Sequence, residues 1–253
     1  MANGPISLEN ISDTSVVGII YGGTGVGKTV LVGSSQKYRT LLIDIDDGAV
    51  SANAWAVKYG LRRDLCKVWT VQTIAEYNTA IAWWNIHKSE FDMIVVDTVT
   101  ELQGMILREI CERGKIQVPS QREWGIVLTS MNNITTQFRH SGKHVLFTAH
   151  ETFREDTDTK RTMWQPAFQG AFKEQYGRHF SLIARYCMPE RQVKLEDNSL
   201  QWQTERWLIC HRDAVTHGKD RFVALEKYEP PYIDNIIDKM MAGIKRSTQT
   251  QGI

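Results

Sequence analysis

Gly22-Gly23-Thr24-Gly25-Val26-Gly27-Lys28-Thr29 reads as glycine, any four residues, then glycine, lysine and threonine. This is the pattern of a phosphate-binding loop. Glycines let successive backbone N–H groups curl around a polyphosphate. Lys28 is expected to reach the β- and γ-phosphates, and the Thr29 hydroxyl to hold Mg²⁺. The loop residues, Gly22, Gly23, Thr24, Gly25, Val26, Gly27, Lys28 and Thr29, are the expected nucleotide-binding set, with ATP and Mg²⁺ as cofactors. The flanks suit the motif. Residues 16–21 are a short apolar, β-branched run, and residues 28–36 read as the start of a helix, so strand, loop and helix follow in the order this chemistry needs.

Outward from the loop, strands alternate with helices. Residues 40–46, 67–71, 91–97 and 143–149 read as strands. Residues 74–87, 99–113 and 122–138 carry helical spacing. Such alternation predicts an α/β fold, with a mostly parallel central sheet flanked by helices. After His150 the pattern changes. Residues 151–169 are polar and weakly patterned, then strand candidates follow at 180–187, 192–196 and 201–210, with a turn at Asp197-Asn198-Ser199. These read as an antiparallel extension of the same sheet. Residues 233–244 read as a short amphipathic helix. The expected division is a lead-in over 1–14, a core over 15–228, and a C-terminal helix and tail over 229–253.

The bulk numbers exclude several classes. A net charge of +1 gives no global basic field, so any nucleic-acid contact must come from local loops. Four cysteines, far apart and without a CxxC pair, argue against a zinc site or a disulfide framework. No stretch approaches the length of a membrane span. A soluble cytoplasmic protein is the expectation.

Hydrolysis needs more than a loop. Asp97 ends the strand Met93-Ile94-Val95-Val96-Asp97 and is expected to hold the Mg²⁺ side as a Walker B carboxylate. An Asp capping the following helix is the ordinary alternative. Thr98 follows it, so no adjacent glutamate serves as base. The acids at the end of the second strand take that place: Asp46 is the candidate for orienting water, and Asp44 alternates with it and should share its face. His150 follows the strand ending at Ala149 and is placed to touch the terminal phosphate.

Taken in order, these motifs resemble the RecA-like P-loop NTPase core. Phe147-Thr148-Ala149-His150-Glu151, Pro166-Ala167-Phe168-Gln169-Gly170 and Gly218-Lys219-Asp220-Arg221 are similar to phage-encoded proteins of the Sak-type single-strand annealing group. The resemblance covers roughly residues 16–225. It implies that Asp46 stands where relatives carry a longer catalytic Glu, and that His150 links ATP to a DNA loop. It implies that Lys219 and Arg221 enter a neighbour's ATP site, where cations neutralise developing charge. It implies a homo-oligomer, ring or filament, on single-stranded DNA inside a bacterial host, with a single-stranded-DNA-binding protein as a further partner. The DNA-facing segments would be 113–124, with Arg113, Lys115, Arg122 and Trp124, and 152–170, with Arg154, Lys160, Arg161 and Trp164. Cations among aromatics suit single strands, because charge follows phosphates while rings stack on bases. Two other readings stay open: a nucleotide-switched DNA-binding scaffold with little turnover, and a small-molecule kinase.

Overall fold

In a computed structural model of the chain, residues 15–155, 160–194 and 199–249 are described. The order begins with strand β1 (Val17–Gly22), helix α1 (Lys28–Gly33), β2 (Thr40–Asp44) and α2 (Ala49–Tyr59). It continues with β3 (Cys66–Thr70), α3 (Ile74–His87), β4 (Met93–Asp97), α4 (Val99–Gly114), α5 (Gln121–Arg139), β5 (His144–Glu155) and β6 (Thr162–Pro166). Then come α6 (Phe172–Gln175), β7 (Leu182–Cys187), β8 (Glu190–Lys194), β9 (Leu200–Thr204), β10 (Trp207–Ile209), β11 (Lys219–Asp220), β12 (Tyr228–Glu229) and α7 (Ile233–Gln249).

The main sheet runs β12-β10-β7-β1-β5-β4-β2-β3. From β3 to β7 every pairing is parallel. The antiparallel extension exists but starts one strand later than the sequence suggested. β7 pairs parallel with β1; β10 and β11 pair antiparallel with β7, and β12 pairs antiparallel with β10. β8 and β9 leave the sheet and form a separate hairpin, whose expected turn falls mostly outside the described residues.

Strands β1, β2 and β4 are buried along their whole length. That explains their continuous Val/Ile/Leu runs, since a parallel sheet is covered on both faces. One face packs α3, α4 and α5 around Trp84, Leu102, Met131 and Phe138. The other packs α1 and α7 around Leu31, Ile236, Ile237 and Met240. Helix α7 therefore lies in the same core cluster as β1. It is pinned by Asp234, which accepts from Ser35 Oγ at 2.6 Å and Gln36 N at 2.9 Å. Capping boxes start α3, through Thr73 and Glu76, and α5, through Ser120 and Glu123; each satisfies two otherwise orphaned N–H groups.

Two expectations are corrected by the backbone. The stretch after His150 is not an irregular loop. β5 continues to Glu155 and folds back as β6, a hairpin pairing Phe153 with Trp164. The second strand ends at Asp44, so Asp46 and Asp47 lie beyond it, with Asp47 at φ 51°. Asp44 is buried and accepts the N–H groups of Gly48 and Ala49, each at 3.0 Å. It caps α2 and does not share the solvent side with Asp46.

Candidate nucleotide site

The loop 22–29 leaves the C-terminal end of β1 and enters α1. Gly25 and Gly27 hold φ of 80° and 100°, values that side chains resist. Gly22 is required by contact: a Cβ there would stand 2.3 Å from the Tyr186 carbonyl oxygen. Lys28 is buried, and its ammonium donates to the Gly22 and Gly23 carbonyls at 2.9 and 3.0 Å. Burial lowers the Lys28 pKa from its ordinary value, while Asp97, Asp46 and Glu151 oppose that shift. The ammonium thus faces three carboxylates at the loop.

Asp97 is fully buried at the end of β4. The Thr148 hydroxyl donates to its Oδ1, and Oδ2 has no partner of hydrogen-bond geometry among the described residues. Burial raises the Asp97 pKa, the Thr148 and Thr29 hydroxyls pull it back, Asp44 adds to the rise and Lys28 opposes it. An orphaned carboxylate oxygen buried beside a threonine hydroxyl is costly unless something cationic completes it. A Mg²⁺ ion fits this pair, with Thr29 and Asp97 as its protein oxygens. Bound there, the metal would neutralise phosphate charge. Among the described residues no group of three or more His, Cys, Asp or Glu side chains could hold a metal by itself.

The two polar candidates at neighbouring strand ends meet. His150 Nε2 lies 3.6 Å from Asp46 Oδ2. Register explains it. Asp44 pairs with Asp97 across β2 and β4, Thr148 bonds Asp97 across β4 and β5, and Asp46 and His150 each lie two residues further on. Their chemistry can orient a water above the metal-side carboxylate.

Three features escaped the sequence reading. Thr148, which holds Asp97, looked like one more strand residue. Glu151 looked like an acid of the polar loop, yet Arg185 Nε donates to its Oε2 at 2.8 Å, and its Oε1 lies 3.2 Å from where a Gly23 Cβ would be. Arg185 carried a usable signal, a cation inside the apolar run Leu182-Ile183-Ala184-Arg185-Tyr186. A cavity of about 1170 Å³ also opens beside Gly25 and Gly27, lined by Trp55, Tyr59, Tyr186, Trp207 and Tyr232.

This geometry, a glycine loop between β1 and α1 with a strand-end carboxylate two strands away, is that of a P-loop NTPase. A family model described as an AAA domain matches residues 14–222. The chain belongs to the AAA domain family. Its nucleotide-binding and nucleotide-hydrolysing chemistry follows from that membership and from the P-loop. No curated protein matches the chain.

The remaining candidates of this AAA domain are placed as follows. Lys219 lies on the far side of β7 from β1, level with Ile183 and Ile19, and donates to the Gly177 carbonyl at 2.8 Å. Arg221 is exposed, and its guanidinium lies 3.5 Å from the Arg178 carbonyl. Neither is beside its own chain's Lys28. Arg113 lies in the last turn of α4, paired with Glu109 at 2.5 Å; Lys115 sits at its C-cap, and exposed Arg122 lies in the first turn of α5. Trp124 is partly buried against the core and Gly170. Gln103 of α4 bonds the Gln169 backbone at 2.9 and 3.2 Å, and the Trp124–Gly170 contact makes the two segments adjoin. In the hairpin, Arg154 pairs with Glu174 at 2.7 Å, Lys160 lies 3.8 Å from Glu155 and Arg161 is exposed. No helix of the described residues is long and apolar enough to cross a membrane.

Proposed function

We propose that this AAA domain is an ATP-hydrolysing protein that works on single-stranded DNA in phage recombination or replication, by annealing, strand exchange or loading, in the manner of the Sak-type group it resembles. The observation that carries the reading is the continuity of β5. One strand bears His150 at the nucleotide site and runs directly into a hairpin with exposed Phe153, cations Arg154, Lys160 and Arg161, and the Trp164 ring. Cations and aromatics on one short ribbon are the composition that binds single strands without reading sequence. Below the hairpin a cavity of about 780 Å³ has Arg154, Lys173, Arg178 and Arg212 in its lining against Glu155 and Glu174. This excess of positive charge suits a phosphate backbone.

In this reading the loop amides and Lys28 grip the phosphates, and Thr29 and Asp97 hold Mg²⁺. Asp46 orients the attacking water, and His150 relays the nucleotide state into the hairpin. The aromatic cavity beside Gly27 takes the base, since flat rings stack on it while the phosphates reach the loop. Lys219 and Arg221 act on a neighbouring copy, which makes the working unit a homo-oligomer. A single-stranded-DNA-binding protein is a natural partner on the same substrate.

The test is ATP hydrolysis with and without single-stranded DNA, together with the mass of the assembly. Stimulation by DNA in a large complex is the expected result. A monomer that phosphorylates a small acceptor would replace this reading with a kinase. Tight nucleotide-dependent DNA binding with no turnover would replace it with a switched scaffold.

A further inference from the structure

We propose that Arg185 is a sensor of the terminal phosphate, switching between Glu151 and the γ-phosphate of a nucleoside triphosphate and reporting through the Trp164 ring. The proposal rests on the P-loop reading above and adds to it a residue of this chain's own β7.

Three contacts converge on one guanidinium. Arg185 Nε donates to Glu151 Oε2 at 2.8 Å, and both side chains are only 16% exposed. The Arg185 guanidinium carbon stands 4.4 Å from the centre of the Trp164 ring. Glu151, in turn, sits at the loop, its Oε1 3.2 Å from the position of a Gly23 Cβ. Arg185 is level with Tyr21, the last residue before Gly22. The Tyr21 hydroxyl ties this level to the hairpin: it lies 2.9 Å from the Trp164 carbonyl and 3.0 Å from the His217 carbonyl, and accepts the His217 N–H at 3.1 Å. The backbone under Trp164 is thus anchored to the root of the P-loop, while its ring rests on a cation that is engaged elsewhere.

A triphosphate seated in the loop brings several negative charges against Glu151. Two anions a few ångströms apart in a partly desolvated site repel strongly. Lys28 is held by the Gly22 and Gly23 carbonyls, whereas Arg185 is held by Glu151 itself, and guanidinium forks bind phosphate oxygens as readily as carboxylates. Arg185 therefore follows the stronger anion. A diphosphate lacks the terminal phosphate's charge and is expected to leave the Arg185–Glu151 pair intact. When Arg185 turns toward the phosphate, its stack on Trp164 changes, and Trp164 packs edge-on against Phe153 at 5.7 Å between ring centres. The triphosphate is thereby felt on the exposed face of the hairpin.

The experiment compares binding of Mg²⁺ with ADP and with a β,γ-imido triphosphate by calorimetric titration, in wild type, Arg185→Ala and Glu151→Gln. Arg185→Ala is expected to lower the preference for triphosphate over diphosphate by about tenfold or more, as loss of one charge-assisted hydrogen bond would, with ADP affinity held. Glu151→Gln is expected to raise that preference, and it keeps the proposal open to refutation should Arg185→Ala fail to fold. Trp164→Phe is expected to abolish the difference in tryptophan emission between the two nucleotide states. A preference unmoved in both Arg185→Ala and Glu151→Gln, with ADP still bound, overturns the sensor and leaves the P-loop standing. Wild type that binds neither nucleotide overturns both.

Discussion

His150 Nε2 stands 3.6 Å from Asp46 Oδ2, closing a bridge over the end of β4 between two strands that do not pair with each other. Neither residue belongs to the P-loop, yet both reach the rim of its site, two residues beyond the level of Asp97. Asp46→Asn is expected to keep nucleotide affinity within a few-fold and to lower hydrolysis by roughly 10²–10⁴-fold, the usual contribution of a positioned general base. Equilibrium titration and phosphate release measure the two separately. Wild-type turnover in this variant would move the base elsewhere.

Magnesium dependence is predicted to follow Asp97. Burial raises its pKa above the ordinary carboxylate value, and only the ionised form holds the metal. The Mg²⁺ requirement for nucleotide binding should therefore relax as pH rises and tighten as pH falls toward the acid range. Asp97→Asn should remove this pH dependence along with most of the Mg²⁺ stimulation. A magnesium titration of nucleotide binding at several pH values checks it, and an unchanged Mg²⁺ response in the variant excludes Asp97 as a ligand.

Adjacent glycines of the loop should differ in their tolerance of a methyl group. At Gly22 the added carbon meets a backbone carbonyl at 2.3 Å, which moves only if β1 and β7 separate. At Gly23 it meets the end of the Glu151 side chain at 3.2 Å, which can yield. Gly22→Ala is expected to destabilise the fold by about 1–3 kcal/mol and to lose nucleotide binding, with Gly23→Ala much milder on stability. Denaturant unfolding of the two variants decides it, and equal midpoints would refute the contact argument.

The parallel core was legible because burial on both faces writes itself as unbroken apolar strands, and because the P-loop needs glycines that nothing else explains. Helix α3 was read at its observed bounds, 74–87, since its buried residues recur at helical spacing. Helix α2 was not read at all. Only Ala56 of its residues is buried, so Ala49–Tyr59 carries almost no periodic signal. The β5–β6 hairpin was missed for a related reason. Its outer half is exposed on both faces, so the alternation that marks a half-buried strand is absent. Within the site, Lys28, Thr29 and Asp97 were legible from spacing. Thr148 and the Arg185–Glu151 pair were not, because their roles arise from register between distant segments.

Acid should weaken the fold through histidines buried neutral. His179 lies 2.9 Å from Asn132 Oδ1, and burial, aided by Arg178 and Arg139, lowers its pKa from 6.5 to about 4. His144, which accepts the Val16 N–H, and His217, beside the Tyr176 hydroxyl, are lowered for the same first reason. Lowered folded values mean that the unfolded chain binds more protons, so stability is full above about pH 6.5 and falls as pH drops toward 4. His179 alone contributes a loss of about 2 kcal/mol between pH 7.5 and 5. Denaturant midpoints across this range should flatten in His179→Gln, and a slope equal to wild type would assign the acid lability to other groups.

The position of Arg221 decides whether the catalytic unit is one chain or two. It follows β11, which pairs with the first half of β7, whereas the P-loop leaves the last residue of β1. Within one chain the sheet separates Arg221 from Lys28, and Arg221 is exposed; the assembly proposed above would bring a second copy against it. A cation supplied across such a boundary contributes to turnover and not to folding of the site it serves. Arg221→Ala should bind nucleotide as wild type does and hydrolyse it at least tenfold more slowly, within the range for a trans arginine. Lys28→Ala should fail to bind and so fail to turn over. Mixed together, the two inactive variants should recover part of the wild-type rate, because some assemblies then place an intact P-loop against an intact Arg221. Recovery that grows with total protein concentration would mark the shared site. Mixtures no faster than the separate variants, in assemblies shown to exchange subunits, would return Arg221 to an ordinary surface role.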